Sequence, residues 1–149
     1  MIIKNKKFVI EFIGDNQLKK FLKDSKVRLK KLSEYFQTLH LNEKKTLITI
    51  KIVSNEEIKS LNKKFRKKDK VTDVLSFPDE IASGDIAIAE SYILNKNNKI
   101  NSQNFFMLVG HGLLHLFGSS HYDKQSRDNM RFLENMFMHF LGLKKVHEN

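Results

Sequence analysis

The sequence predicts an α+β fold, with a single domain over residues 1–149 and a small mixed four-stranded sheet packed against about five helices. Two observations support this prediction. Segments with the alternating pattern of β-strands and segments with helical periodicity follow one another in mixed order, which is typical of one layered sheet. The chain also contains no repeat, low-complexity linker or change of composition that would mark a second domain.

The first third of the chain alternates between strand and helix. Residues 8–13 are rich in β-branched and aromatic side chains and predict a strand. A long amphipathic helix is expected over residues 15–39, with a break near residues 23–25, where the apolar rhythm falters. Residues 47–53 then alternate between apolar and polar side chains, as in a strand with one buried face.

The middle of the chain predicts a helix and two more strands. Ser54 and Glu57 have the S-x-x-E spacing of a capping box, so a helix is expected to begin there. Residues 71–78 predict a short strand that ends at the only proline of the chain. Residues 84–89 are apolar and predict the last strand.

The most apolar helical segment covers residues 105–118 and forms the centre of the predicted fold. Its only polar side chains are His111 and His115, so we expect this helix to be buried nearly all round. Asp123 is expected to cap a last helix. The tail over residues 144–149 is expected to be frayed.

Three histidines on and after the buried helix have the spacing H-x3-H-x5-H. Helical positions four apart point the same way, so His111 and His115 can reach one point, and Gly118 can end the helix so that the chain brings His121 there too. Three imidazoles without a fourth protein ligand resemble a catalytic zinc site, which keeps one position open for water. The alternative is three hydrogen-bonded core histidines, although each unsatisfied buried group would cost about 1–3 kcal/mol.

The remaining composition limits the choice of function. The chain has no cysteine, so a metal would be held by nitrogen and oxygen ligands. A net charge of +10 favours a polyanionic partner such as nucleic acid, although the abundance of Lys beside Asn and Ile also fits a general compositional bias. No segment resembles a secretory signal or a membrane span, so a cytoplasmic protein is expected.

The other histidines and two aspartates have weaker signals. His40, His139 and His147 have no histidine neighbours in sequence, and we expect them on the surface or on a helix face. Asp73 and Asp85 stand at the edges of apolar strands, where an unpaired carboxylate would be costly. They are therefore expected to be structural or orienting partners, with direct catalysis as the less favoured alternative.

Arg66 is one of four arginines in the chain and lies in the basic stretch of residues 63–70. A guanidinium can bind two phosphate oxygens at once, which lysine cannot do. Beside a hydrolytic metal, Arg66 would stabilise charge on a phosphorus that is being transferred. The alternative is a solvated arginine at a helix end.

These residues leave three functions open. A metal held by three histidines favours hydrolysis, and the basic surface favours a phosphodiester substrate. A zinc peptidase of the H-E-x-x-H type has a glutamate after its first histidine as general base, but this chain has Gly112 there. The third possibility is a non-catalytic RNA-binding protein in which zinc is structural.

Three blocks of the sequence together resemble the YbeY family of bacterial ribosomal RNA maturation factors. The blocks are residues 61–78, residues 84–86, and residues 111–118 with His121. They occur in the order and at the spacing of the family, whereas the N-terminal third matches only in its strand-then-helix pattern.

Two positions depart from the pattern of that family. Ser119 and Ser120 stand where the family usually has Tyr-Asp, and Val71 stands where it usually has Pro. The missing aspartate would remove a carboxylate that orients a histidine, a change that can weaken a metal site about 10–100-fold. Asp123 is the expected substitute.

The resemblance implies a metal-dependent endoribonuclease of the bacterial cytoplasm that cleaves single-stranded RNA, matures the 3′ end of 16S rRNA and serves ribosome quality control. It implies one Zn²⁺ per chain, held by His111, His115 and His121 with water in the remaining position, and a catalytic or RNA-binding role for Arg66. The implied partners are an rRNA precursor, the small ribosomal subunit and its assembly factors, without a membrane. Imidazole also binds nickel, copper and iron, so the residues leave the metal open.

Overall fold

A computed structural model describes residues 1–148, which form five strands and five α-helices in an α+β arrangement, as predicted. The strands are β1 (Ile2–Lys4), β2 (Phe8–Ile13), β3 (Thr46–Val53), β4 (Val74–Glu80) and β5 (Ser83–Ala89). The helices are α1 (Asn16–Asp24), α2 (Lys26–Leu39), α3 (Asn55–Arg66), α4 (Ser102–Leu116) and α5 (Lys124–Phe140), with a 3-10 turn over Glu90–Tyr92. The predicted break in the first long helix falls at Ser25, between α1 and α2.

The strands form one mixed sheet in the order β1-β2-β3-β5-β4. The central strands β2, β3 and β5 run parallel, and the edge strands β1 and β4 are antiparallel to their neighbours. The prediction of four strands is therefore wrong by one. The strand that was missed, β1, has only three residues, which is too short for an alternating pattern to be visible in the sequence.

Helices cover both faces of the sheet. On one face, Ile86 and Ile88 of β5 belong to a large core shared with α1, α2, α4 and α5. On the other face, Ala87 and Ala89 pack with Ile58 of α3. This alternation places α3 and α4 on opposite sides of the same strands. Both helices also bind the edge strand β4, α3 through Arg66 at its end and α4 through the carbonyl of Gly112.

Pro78 lies within β4 rather than at its end. The strand continues to Glu80, and Pro78 is paired in register with Gly84 of β5. Proline has no backbone N–H to donate, but β4 is an edge strand that pairs on one side only, so this position tolerates it.

The helix α4 is buried nearly all round, as predicted, and packs closely against its neighbours. A Cβ atom at Gly110 would lie 2.5 Å from the Phe137 ring of α5, and one at Gly112 would lie 2.9 Å from the Ile86 side chain of β5. Both glycines therefore permit the close approach of α4 to α5 and to the sheet. Across residues 1–148, no helix is both long enough and apolar enough to cross a bilayer.

The expectation of a frayed tail from Lys144 is wrong for residues 144–147. Gln103 of α4 exchanges two hydrogen bonds with the backbone of Lys144, at 2.8 and 3.1 Å. The side chain of Asn135 in α5 binds the backbone of Val146 and His147. Asn149 lies outside the described residues.

Candidate metal centre

The rings of His111, His115 and His121 come together at one end of α4. One ring nitrogen from each histidine lies within 4.8 Å of the others. His111 and His115 are separated by one turn of the helix, and their side chains are half-buried, whereas His121 is exposed. The spacing therefore predicts the meeting of the rings correctly.

The turn after α4 brings the third histidine back to the first two. Gly118 has a φ of +104°, a left-handed conformation that glycine adopts without strain. The backbone N–H of Ser119 then donates to the carbonyl of Leu114 at 2.9 Å, which folds the chain back over the end of the helix. The loop that follows carries His121 over His115, with ring centroids 4.7 Å apart.

Hydrogen bonds fix the protonated nitrogen in two of the rings. Nδ1 of His111 lies 2.9 Å from the Oε2 atom of Glu134, and Nδ1 of His115 lies 3.1 Å from the carbonyl oxygen of Ser119. A carboxylate and a carbonyl only accept hydrogen bonds, so both Nδ1 atoms must donate. In the neutral rings, both Nε2 atoms therefore carry lone pairs.

These two lone pairs meet in a way that suits a cation. The Nε2 atoms of His111 and His115 are 3.2 Å apart, a distance at which two acceptors without a proton between them repel. Two nitrogens bound at 2.0–2.1 Å in a tetrahedral zinc site would be roughly 3.3 Å apart. His111 and His115 thus fit a divalent metal in both the direction of their donors and their spacing, and a ring nitrogen of His121 lies within 4.8 Å of both.

The charge state of His115 also suits a metal ligand. Burial, followed by the electrostatic effect of His111 and His121, lowers the pKa of His115 to about 4 from its ordinary 6.5. The ring is therefore neutral near pH 7, and its Nε2 lone pair is available without the loss of a proton.

Glu134 was not found from the sequence, although it orients a histidine. Its side chain lies on the buried face of α5 and is 9% exposed, with Oε2 bonded to His111 and Oε1 to Nε2 of His147 at 3.0 Å. Burial alone would raise the pKa of Glu134, but the hydrogen bonds with these histidines outweigh it and lower the pKa. The sequence did contain a signal for it: Glu134 lies four residues after Met130 and four before Met138, so a carboxylate falls on an apolar helix face.

Asp123 does not take the place of the missing family aspartate. Its Oδ1 atom accepts the backbone N–H of Ser126 at 2.8 Å and caps α5, as predicted for that residue. The ligand-orienting carboxylate comes instead from Glu134, eleven residues further along the chain.

A cleft of about 600 Å³ joins the histidines to the predicted arginine. Arg66 is the last residue of α3, and its Nη2 atom donates to the carbonyl of Ser76 in β4 at 2.7 Å. The guanidinium also lies over the Phe77 ring, 5.2 Å from its centroid. Its Nη1 atom donates to the carbonyl of Phe65 at 3.4 Å, and Arg66 lines the same cleft as His121.

Additional residues give the cleft its charge and one aromatic ring. Lys68 and Lys70 line the same cleft as Arg66, and the buried Asn62 donates from Nδ2 to the carbonyl of Lys70 at 2.9 Å, which holds this segment against α3. Tyr122, next to His121, is 94% exposed. None of these three lining residues was singled out from the sequence.

Other residues considered in the sequence have different positions. His139 is exposed, as expected, but His40 is buried against Thr46 and His147 is half-buried against Glu134. Asp85 is exposed, so the expected cost of an unpaired buried carboxylate does not arise there. Asp73 lines the cleft, and its Oδ1 atom accepts the backbone N–H of Val74 at 2.8 Å.

Comparison with known proteins gives one consistent result. The sequence profile of the family described as Endoribonuclease YbeY matches residues 13–142. Proteins named Endoribonuclease YbeY from Francisella tularensis subsp. tularensis and subsp. novicida are 39% and 40% identical over 110 residues, which cover 64% of this chain and 68% of each relative. The solution structure of TM1509 from Thermotoga maritima matches with a TM-score of 0.60 and 26% identity, over 89% of this chain and 88% of that chain.

Proposed function

Since this chain belongs to the YbeY family of endoribonucleases, we propose that it is a metal-dependent endoribonuclease that cleaves single-stranded RNA. The main support from the site is the pair of Nε2 lone pairs of His111 and His115, which face each other at 3.2 Å. With His121 they would hold one metal ion, for which we propose Zn²⁺. When bound, such an ion supplies a Lewis acid and lowers the pKa of a coordinated water toward about 7.

The residues of the chain would bind and orient the RNA strand. Arg66 is anchored through Nη2, Nη1 and the Phe77 ring, so the N–H groups that do not bind Ser76 or Phe65 would be held in place to bind the phosphate at the cleavage position. Lys68 and Lys70 would bind neighbouring phosphates, and the exposed ring of Tyr122 would stack on a base. Stacking needs an unpaired base, which favours a single strand over a duplex.

A peptidase is less well supported. Its general base would be a carboxylate with a free oxygen beside the histidines. Both oxygens of Glu134 are hydrogen-bonded to histidines, which leaves Asp73, with Oδ1 bonded to a backbone N–H, as the one carboxylate among the described residues that line the cleft. The cleft is also lined by Arg66, Lys68 and Lys70, which suits a phosphodiester better than an uncharged peptide.

The cellular role follows from the family resemblance. We propose a cytoplasmic role in maturing the 3′ end of 16S rRNA and in ribosome quality control, with the small ribosomal subunit and its assembly factors as partners. A precursor subunit with a 3′ extension, compared with the same RNA free of protein, tests this role. Faster or more accurate cleavage of the assembled subunit supports it, whereas cleavage only of the free RNA contradicts it.

The proposed activity is tested with an end-labelled RNA strand, alone and annealed to its complement. We expect wild-type protein with added Zn²⁺ to cut the single strand and to leave the duplex largely intact. Chelation, His115→Ala and Arg66→Ala should each reduce cleavage at least about 100-fold. Lys30→Ala, an exposed lysine of α2 outside the cleft, is the matched control.

The same experiment separates the alternatives. Cleavage that survives both chelation and His115→Ala would contradict the proposed metal chemistry. RNA binding without cleavage in any sample would favour an assembly factor with a structural metal. A cut peptide beside intact RNA would favour a peptidase.

A further inference from the structure

The segment after α5 is fixed against the metal centre. Gly142 has a φ of +75° and turns the chain, and the backbone N–H of Leu143 donates to the carbonyl of Met138 at 2.8 Å. Further along, Oδ1 of Asn135 accepts the backbone N–H groups of Val146 and His147, each at 2.9 Å. Nδ2 of the same Asn135 donates to the carbonyl of His147 at 2.9 Å.

This docking places the ring of His147 on the carboxylate that orients the first histidine of the cluster. The Oε1 atom of Glu134 lies 3.0 Å from Nε2 of His147, and its Oε2 atom lies 2.9 Å from Nδ1 of His111. Because a carboxylate is planar, a hydrogen bond to one oxygen restricts the direction in which the other can accept. The 9% exposure of the Glu134 side chain leaves little room for water to replace either partner.

We propose that His147 is a positioning residue of the metal centre, because its ring holds the Glu134 carboxylate in the orientation that directs Nε2 of His111 toward the metal. The inference rests on the metal-binding part of the proposed function. Partners that lie behind metal-bound histidines set the tautomer and the ring angle, and their loss typically weakens metal binding about 10–100-fold. The tail that carries His147 would then be a part of the site rather than a peripheral extension.

Metal affinity tests this inference without relying on catalysis. The dissociation constants for Zn²⁺ and Co²⁺ would be measured by competition with a chromophoric chelator. We expect His147→Ala, which leaves Glu134 in place, to weaken binding up to about 10-fold and to change the visible spectrum of the Co²⁺ form. His147→Gln keeps an N–H donor and should recover a large part of the affinity.

A second variant releases the tail without altering Glu134 or either of its histidine partners. Asn135→Ala removes the three contacts to residues 146–147 and should weaken metal binding in the same direction. His139→Ala, an exposed histidine on the same helix, is the matched control and should leave the affinity unchanged. Far-ultraviolet circular dichroism of each variant checks that the helices are intact.

A spectroscopic measurement on the metal-free protein separates an effect of His147 on the His111 ring from an effect on the stability of the fold. Long-range ¹H–¹⁵N spectra report which nitrogen of His111 carries the proton. We expect the Nδ1–H form to dominate in wild type and the Nε2–H form to increase in His147→Ala.

The outcomes distinguish this inference from the proposed function. Wild-type protein that binds no divalent metal would overturn the proposed metal centre and, with it, the role of His147. Wild-type protein that binds metal, with unchanged affinity and an unchanged His111 tautomer in His147→Ala, would overturn only the role of His147.

Discussion

At the scale of single residues, the protonation of His115 links the candidate site to the stability of the fold. The pKa of this ring is about 4 in the folded protein, mainly because of burial, against an ordinary value of 6.5. Between these values the unfolded chain binds a proton that the folded protein does not bind. The depressed pKa therefore makes folding less favourable as the pH falls from about 6.5 to about 4.

We therefore expect metal-free wild-type protein to lose more stability over this pH range than His115→Gln, which has no titrating ring. The difference in the free energy of unfolding should grow to at most about 3 kcal/mol at the acidic end. Urea unfolding at several pH values measures it. Parallel pH profiles for the two proteins would contradict the burial of a neutral His115 ring.

Arg66 differs from the surrounding lysines in the geometry of its contacts. Replacing it by lysine keeps the charge but removes the fork that contacts Ser76 and the Phe77 ring. We expect Arg66→Lys to lower kcat for single-stranded RNA about 10-fold or more, with unchanged metal content. Arg127→Lys, at an exposed position of α5, is the control, and equal losses in both variants would contradict a specific role.

The sequence predicted some of these residues and missed others for a physical reason. The three histidines could be predicted because helical spacing and one glycine are local features. Glu134 and His147 bind each other across thirteen residues, and their hydrogen bond depends on how the tail docks, which no local pattern records. A glutamate on an apolar helix face indicates that a partner is needed, but not which one.

At the scale of elements, the position of α4 depends on the absence of side chains at two glycines. A Cβ at Gly110 would press on the buried Phe137 ring, whereas a Cβ at Gly112 would meet the atoms of the Ile86 side chain. An aromatic ring packed between helices has less freedom to move than an aliphatic chain. The two glycines should therefore differ in their tolerance of alanine.

We expect Gly110→Ala to destabilise the protein by about 1–2 kcal/mol, because overpacking outweighs the higher helix propensity of alanine. Gly112→Ala should destabilise the protein less than Gly110→Ala. Urea unfolding measures both, and Phe137→Leu should recover part of the loss in Gly110→Ala but not in Gly112→Ala. Strictly additive effects of Gly110→Ala and Phe137→Leu would contradict the proposed contact.

Most elements could be predicted from the sequence, and the errors share one cause. The alternating strands and the buried helix were correct because their signals span several turns or alternations. The helix start at Ser54 was also correct, but the predicted capping box is only half formed: the Ser54 side chain accepts the backbone N–H of Glu57, whereas the Glu57 side chain binds Lys51. The strand β1 and the continuation of β4 past Pro78 depend on which neighbour each strand pairs with. Pairing partners are a property of the folded sheet, and the local sequence does not show them.

At the scale of the whole molecule, the protein carries a net charge of +10, and part of its basic surface lies at the candidate site. Arg66, Lys68 and Lys70 share the cleft with the histidines. Long-range attraction would therefore draw an RNA strand to the protein, and the cleft would decide where the phosphates bind.

We expect RNA affinity to fall steeply with salt, with a slope in a log–log plot of about 0.7 for each phosphate contact. The double variant Lys68→Ala/Lys70→Ala should lower this slope by about 1.4. Lys23→Ala/Lys30→Ala removes the same charge from helices outside the cleft and should change the slope much less. Fluorescence anisotropy at several salt concentrations measures the slope. Equal changes of slope in the two double variants would show that binding depends on net charge alone.

The end of α4 has a further effect on the ion that its histidines would hold. The helix stops at Leu116, one residue after His115, so its last turn faces the cluster. The aligned peptide dipoles of a helix place about half a negative charge at its carboxyl end, which favours a nearby cation by about 0.3–1 kcal/mol. Because all three ligands are neutral imidazoles, this backbone field would help to balance the charge of a divalent ion in place of an anionic ligand.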